Sequence, residues 1–197
     1  MENISVKLPD GSIKQLPKGS TGLDLALSIG PGLAKDAVAI EVNNIQKDLS
    51  DILEDNASVS IITIKSNEGL EIMRHTLTAQ VLASAIKNLY PDAKLAIGPT
   101  IEDGFYYDFL PPKPVSIDDL PLIEEEMNNI LAGKSSINKT FHTKKEAISL
   151  FDDQEETFKA EIINDSEQNN NFQIYTKQVI SCHSWFSWNT CGDNDDI

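Results

Sequence analysis

The first 64 residues alternate strand-like segments with one helical segment, and this order constrains the fold more than any other feature of the chain. Apolar residues at helical spacing predict one helix between the second and third strands. The order β-β-α-β-β-β predicts a β-grasp, in which one helix packs across a mixed sheet and the last strand is central. Alternating or β-branched residues predict the strands at residues 4–8, 13–16, 37–42 and 59–64, with a further short strand from Ile45.

Three residue pairs have the spacing of a capping box, in which two side chains satisfy free backbone N–H groups at a helix start. Each pair stands directly before a stretch of apolar residues at helical spacing. We therefore expect three helices to begin at these pairs. The pairs are Thr21 with Asp24, Ser116 with Asp119, and Thr143 with Glu146.

The remainder of the chain reads as a second, larger domain. Apolar residues recur at helical spacing over residues 70–89 and predict a long helix, which Pro91 ends. Residues 158–163 fit either a helix or a strand. The chain is therefore predicted to be α+β, with one domain at residues 1–64 and another at residues 66–197. Its predicted strands are residues 94–97, 105–109 and 172–175.

The composition of the chain argues against several classes of protein. Sixteen basic against 31 acidic residues give a formal net charge of −15, which argues against a general nucleic-acid surface. No apolar run reaches the roughly 18 residues of a membrane span, and the polar N-terminus does not resemble a secretory signal. We therefore expect a cytoplasmic protein without membrane contact. Two cysteines, Cys182 and Cys191, are too few for a disulfide-rich scaffold.

Two stretches resemble a known family. Residues 96–109 read AIGPTIEDGFYYDF and closely resemble a signature of threonyl-tRNA synthetases. Residues 73–86 resemble the same family's helix, which carries the pattern R-H-S-x-A-H. The resemblance implies that residues 1–64 form that family's TGS domain, a β-grasp. It implies that residues 66–197 form its editing domain, which hydrolyses mischarged seryl-tRNA and is incomplete here at its C-terminal end.

The resemblance also implies a longer enzyme. The family's aminoacylation and anticodon-binding domains do not fit within this chain, so we expect a fragment, a truncated reading frame or a freestanding remnant without aminoacylation activity. ATP and zinc belong to the aminoacylation domain, and no cofactor or metal site is expected here. The expected partner is the acceptor end of tRNA(Thr), bound weakly by an acidic, monomeric chain.

The helix half of the expected editing site is altered. The family places two histidines four residues apart, about 40° apart around an α-helix, so both imidazoles face one pocket. Here Gln80 stands at the second position, and His75 precedes it by five residues. In an α-helix that spacing separates the two side chains by about 140°. Either one residue is inserted or Thr76 takes the first position. His75 is thus a candidate catalytic residue, or a solvated side chain near the helix start.

The facing half of the site is altered as well. The family motif is D-[LM]-C-R-G-P-H, and Cys182 matches its cysteine. Ile180 then stands at the Asp position, and His183 directly follows the cysteine. Adjacent strand residues point to opposite faces, so both side chains enter one pocket only with a bulge. Cys182 is therefore either a catalytic candidate or an inert residue in a degraded tail.

Lys159 matches a lysine of the family's editing pocket better than the other candidates match theirs. A lysine there orients water or stabilises charge on an ester carbonyl, although an ordinary surface cation is the alternative. Of Tyr106 and Tyr107, one is expected to line the pocket and the other to pack in the core. The histidines and cysteines lack the spacing of a zinc site.

Two functions from different classes follow. One is a tRNA-linked enzyme fragment in which Lys159 and His75 hold the attacking water and the tRNA hydroxyl during hydrolysis of seryl-tRNA. The other is a non-catalytic remnant, or a binding or regulatory module that acts through the TGS-like residues 1–64. Deacylation of seryl-tRNA by the chain separates the two.

Overall fold

The computed structural model describes residues 2–133, 136–178 and 186–189, the last of these as backbone only. The chain divides into two compact units, Met1–Arg74 and His75–Ile197. The domain limits expected from the sequence, 1–64 and 66–197, stay a prediction. No helix in the described ranges has both the length and the apolar character needed to cross a membrane.

The first unit is a β-grasp. Its elements are β1 (Asn3–Lys7), β2 (Ile13–Pro17), α1 (Gly22–Ile29), α2 (Pro31–Asp36), β3 (Ala37–Val42), β4 (Ile45–Lys47) and β5 (Val59–Thr63). β1 and β2 form an antiparallel hairpin, and β3 pairs antiparallel with both β4 and β5. The N–H of Lys7 donates to the carbonyl of Ala57 at 2.9 Å, and Lys7 bridges Ser58 in parallel. Because this bridge joins β1 to the chain just before β5, the sheet is mixed and its last strand is central, as predicted.

The core of the first unit is apolar. α1 begins at Thr21, whose side chain accepts from the N–H of Asp24 in the expected capping box. Leu25 of α1 is fully buried against strand residues such as Val6 and Ile40. Helix α2 was not anticipated from the sequence, and Pro31 stands at its first turn, where a missing N–H costs nothing.

The long helix expected over residues 70–89 is not a uniform α-helix. It consists of α3 (Asn67–Thr76), a π-helical segment (Leu77–Leu82) and α4 (Ala83–Leu89). The backbone N–H of Ala83 donates to the carbonyl of Thr78, which is the i→i+5 bond of a π-turn. The expectation of a continuous α-helix was wrong at these six residues.

The remaining elements of the second unit surround two apolar clusters. One cluster joins α4 to α5 and β6, and the other joins α6 and α7 to β11. The strands predicted at 94–97 and 105–109 are reduced to two-residue pieces. The elements are β6 (Lys94–Leu95), β7 (Thr100–Ile101), β8 (Gly104–Phe105), β9 (Phe109–Leu110), a 3-10 turn (Ile117–Asp119), α5 (Leu120–Ala132), β10 (Ser136–His142), α6 (Lys144–Asp153), α7 (Thr157–Asp165), β11 (Phe172–Gln178) and β12 (Phe186–Asn189).

Strand pairing and helix caps complete the second unit. β11 pairs antiparallel with β10 on one side and β12 on the other. The capping boxes at Ser116 and Thr143 are both present, as predicted. Residues 158–163 lie in helix α7, which settles the choice that their sequence left open. The α+β class is confirmed.

Candidate functional site

The buried polar side chains of the second unit lie on the helical stretch of residues 77–89 and at the start of α7. Burying a polar or charged group is costly unless a partner compensates it, so such groups mark a structural network or a functional site. They are Thr78, Gln80, Ser84, Lys87, Glu156 and Lys159, each with 8% or less of its surface exposed.

A buried ion pair joins α4 to the start of α7. The Nζ of Lys87 lies 2.7 Å from Oε1 of Glu156, and the side chains are 8% and 5% exposed. The same Nζ donates to the carbonyl of Ala93 at 3.0 Å. The second oxygen of Glu156 accepts the backbone N–H of Leu95 at 3.2 Å. Both carboxylate oxygens therefore have a donor, and the pair fixes the N-terminal end of α7 against α4 and β6.

Lys159 lies one helical turn after Glu156, and its backbone N–H donates to the Glu156 carbonyl at 3.1 Å. It is 7% exposed, so the interpretation as a surface cation was wrong. Its Nζ lies 5.5 Å from the centre of the Phe151 ring. Burial lowers the pKa of Lys159 to about 7, with the Glu156 carboxylate opposing this change and the Lys87 ammonium adding to it. The amine therefore exchanges a proton near neutral pH.

The two tyrosines of the signature stretch have different surroundings. Tyr106 is 56% exposed, whereas Tyr107 is half-buried and packs against the α4 cluster. Burial and, to a lesser degree, the charge of Glu156 raise the pKa of Tyr107, so its phenol stays protonated. Tyr107 is thus the tyrosine on which the Glu156 carboxylate acts.

The signature stretch packs tightly onto the π-helical segment. A Cβ atom added to Gly98 would lie 2.6 Å from Cγ2 of Thr78 and closer still to the ring of Tyr107. Only glycine fits between these two side chains without displacing one of them. The Gly98-Pro99 turn is therefore a packing element between Thr78 and Tyr107.

The π-helical segment changes the geometry expected for His75 and Gln80. In a π-turn each hydrogen bond joins residues five apart, so an inserted residue is absorbed and side chains five apart lie closer in direction than in an α-helix. The 140° separation assumed an α-helix throughout, and that assumption does not hold over Leu77–Leu82. Gln80 is buried, and its Oε1 has no hydrogen-bond partner within the described ranges.

His75 is half-buried and stands near the C-terminal end of α3, not near a helix start. The position suggested for a solvated or capping histidine was wrong in this respect. Cys182, His183 and Cys191 lie outside the described residues. Within residues 2–133 and 136–178, no group of three or more His, Cys, Asp or Glu side chains could hold a metal ion.

Sequence reasoning missed Lys87 and Glu156, although one signal was available. Gln80, Ser84 and Lys87 are spaced i, i+4 and i+7 within a helix that is otherwise rich in apolar residues. That spacing places three polar residues on one face. Glu156 gave no such signal, because its partner comes from a distant part of the chain.

The comparisons with known proteins agree with this architecture. The TGS domain family matches residues 4–63. The threonine–tRNA ligase of Pelobacter propionicus is 46% identical over 165 residues, which cover 84% of this chain and 26% of that enzyme. Those of Acidiphilium cryptum and Bartonella tribocorum are 43% and 41% identical over 87% and 88% of this chain.

The chain is a homologue of threonine–tRNA ligases. It spans about a quarter of the length of the ligases it matches, since the three alignments cover 26%, 27% and 26% of them. The resemblance of residues 96–109 to this family is thereby confirmed, and so is the TGS domain. The buried cluster of Lys87, Glu156 and Lys159 lies in the part of the chain that follows the TGS domain.

Proposed function

We propose that the second unit is an editing module that hydrolyses the ester bond of seryl-tRNA. The observation that carries this proposal is the buried Lys159, whose pKa of about 7 makes its amine a proton acceptor at neutral pH. Ordinary lysines are fully protonated under these conditions and cannot accept a proton. The resemblance to threonyl-tRNA synthetases, in which Lys159 matches a lysine of the editing pocket, supports this proposal.

In the proposed reaction, water attacks the carbonyl carbon of the seryl ester. Lys159 accepts a proton from the water as the new carbon–oxygen bond forms. The bond between the carbonyl carbon and the ribose oxygen then breaks, and the proton passes to that oxygen. Serine and tRNA leave with no net change in the protein. His75 is proposed to hold the tRNA hydroxyl.

The rate is expected to be low, because Gln80 stands where the family has an imidazole. An amide does not take up a proton near neutral pH, whereas histidine does. A general acid or base contributes roughly 10²–10⁴-fold to a rate, and groups that act as a unit are not additive. The proposed activity is therefore weak hydrolysis that depends on Lys159.

The test is release of labelled serine from seryl-tRNA(Thr) by the full chain. Lys159→Met keeps the apolar stem and removes the amine, and we expect it to lower the rate by about 100-fold or more, to the level without protein. Lys145→Met, on the exposed side of α6, is the matched control and keeps the full rate. Equal rates for the unaltered chain and Lys159→Met would contradict the proposal.

A second candidate is a non-catalytic remnant or a binding module. The observation that favours it is the buried Oε1 of Gln80, which replaces an imidazole with a group unable to accept a proton. This candidate predicts tRNA binding without hydrolysis. Given the net charge of −15, the proposed contact with the acceptor end of tRNA(Thr) is weak. The cytoplasmic location and the monomeric state stay predictions.

A further inference from the structure

One buried polar atom of the second unit has no hydrogen-bond partner among the residues that the structure describes. It is Oε1 of Gln80, a residue with only 5% of its surface exposed. The buried Lys87 and Glu156, in contrast, bind each other at 2.7 Å. An unpaired buried acceptor lowers the stability of a protein, and most buried polar groups are therefore paired. Folding alone does not account for an amide at position 80.

The helix around Gln80 satisfies its backbone and leaves its side chain open. The hydroxyl of Ser84, four residues later, donates to the backbone carbonyl of Gln80 at 2.6 Å. Gln80 lies in the π-helical segment Leu77–Leu82, where the N–H of Ala83 donates to the carbonyl of Thr78. π-turns within α-helices are rare and occur frequently at functional sites. The side-chain oxygen of Gln80 is thus left for a donor that comes from outside this helix.

The chemistry of the site favours a neutral and small donor. An amide oxygen accepts either an O–H or an N–H group. A buried ammonium would need a carboxylate as well, and the buried Glu156 already has a donor on each oxygen. The signature stretch also packs closely on the π-helical segment, since a Cβ added to Gly98 would lie 2.6 Å from Cγ2 of Thr78. A hydroxyl group meets both conditions.

We propose that Gln80 is a specificity-determining residue whose side-chain oxygen accepts a hydrogen bond from a hydroxyl group of the bound ligand. Only the identification of this hydroxyl as that of a seryl group rests on the proposed function. A buried acceptor discriminates strongly against a ligand that lacks the donor, because the acceptor then stays unpaired. Since Oε1 is inaccessible in the free chain, the hydroxyl reaches it only when the side chains that cover it shift.

The first experiment needs no ligand and measures the melting temperature of the full chain. Gln80→Met keeps the length of the side chain and removes the unpaired acceptor, so the melting temperature should rise by about 2 °C or more. Gln46→Met, on the exposed side of β4, is the matched control and should change it by less than about 1 °C. A lower or unchanged melting temperature for Gln80→Met would mean that the amide has a partner in the free chain, and would overturn the proposal. If Gln80→Met does not fold, Gln80→Leu is measured instead, and failure of both to fold overturns the proposal.

The second experiment compares two ligands that differ by one hydroxyl group. They are adenosine analogues that carry serine or alanine through an amide at the 3′ position in place of the ester. In calorimetric titrations, the unaltered chain should bind the seryl analogue about tenfold or more tightly than the alanyl analogue. In Gln80→Met the ratio of the two dissociation constants should fall to about one. Equal affinities in the unaltered chain, an unchanged ratio in the variant, or no binding of the seryl analogue would each overturn the proposal.

Neither experiment requires hydrolysis, so failure of this proposal can be told apart from failure of the proposed function. A preference for the hydroxyl that depends on Gln80, without release of serine from seryl-tRNA, would support the role of Gln80 and contradict the editing proposal. Release of serine that depends on Lys159, with equal binding of the two analogues, would leave the editing proposal standing and overturn the role of Gln80.

Discussion

The interior of the TGS unit and the interior of the second unit are built differently. The cluster at the centre of the TGS unit consists of apolar side chains such as Leu25, Val6 and Ile40. In the second unit, the apolar clusters of α4 and α7 are accompanied by a buried ion pair and a second buried amine. Burial of an apolar side chain stabilises a fold whatever its neighbours are charged with, whereas a buried charge is tolerated only when its partner is present. Stability dominates the first interior, and the second retains groups that can do chemistry.

The largest expected effect comes from breaking the charged set. Glu156→Met leaves the buried Lys87 ammonium without its carboxylate, and we expect a loss of about 3–5 kcal/mol in the free energy of unfolding. Urea-induced unfolding of the full chain measures it. Glu2→Met is the matched control, because Glu2 forms an exposed ion pair with Lys18 in which Oε2 lies 2.8 Å from Nζ. It should lower the free energy of unfolding by less than about 1 kcal/mol.

The double variant Lys87→Met with Glu156→Met sharpens this result. Replacing both members of a buried pair by apolar side chains is often neutral. We therefore expect the double variant to recover most of the stability that the single variant loses. A double variant as unstable as Glu156→Met would mean that the pair holds α4 and α7 together through its hydrogen bonds, and not through charge balance.

The matching test in the TGS unit uses two leucines of one helix. Leu25 is fully buried, and Leu25→Ala should cost about 2–5 kcal/mol through lost contacts and a cavity. Leu23 is 42% exposed, and Leu23→Ala should cost less than about 1 kcal/mol. Unfolding at pH 6 and pH 9 should give the same cost for Leu25→Ala. If the destabilisation by Leu25→Ala depended strongly on pH, the two interiors would not differ in the way described.

Lys159 should give the second unit a pH dependence that the apolar core of the first lacks. The pKa of Lys159 is about 7 in the fold and near 10.4 when unfolded, so between these values the unfolded chain binds more protons. Its contribution to stability therefore increases as the pH rises from about 7 towards 10. The change in the free energy of unfolding caused by Lys159→Met should be more stabilising at pH 6 than at pH 9, by on the order of 2 kcal/mol. Equal effects of the substitution at both values would contradict the depressed pKa.

The smallest expected effect concerns the helix half of the proposed editing site. Deleting Thr76 and changing Gln80→His restores the family spacing in an α-helix, yet we expect less than about a tenfold gain in seryl-tRNA hydrolysis, because the groups act as a unit. Restoring the motif around Cys182 as well should increase the rate much further. A large gain from the helix change alone would mean that the imidazole pair is the missing element.

What could be predicted from the sequence was local. The capping boxes at Thr21, Ser116 and Thr143 were predicted because each depends on residues three positions apart. Strand β10 (Ser136–His142) was not, because its order comes from pairing with β11, and its own residues show no strong strand pattern. Local chemistry can be read along the chain, whereas pairing between distant segments cannot.

The candidate site shows the same limit. The position of Lys159 was predicted from a resemblance, but its burial depends on α6 and α7 packing together and on the contact with α4. The π-helical segment was also hidden, because the apolar residues of Leu77–Leu82 fit a 3.6-residue period well enough to predict an α-helix. One extra residue in a helix changes which residues share a face without changing the composition.

The close packing of Gly98 bears on how a gene for such a chain can drift. A single methyl group at this position would strike both Thr78 and Tyr107, whether or not any ester is ever hydrolysed. Selection acts against substitutions at Gly98 because they disturb folding. A change from imidazole to amide at residue 80 is selected against only if the cell needs the catalytic activity. The signature around Gly98 can therefore persist after an activity is lost. Its presence in a sequence indicates that the fold is intact and does not by itself indicate an enzyme.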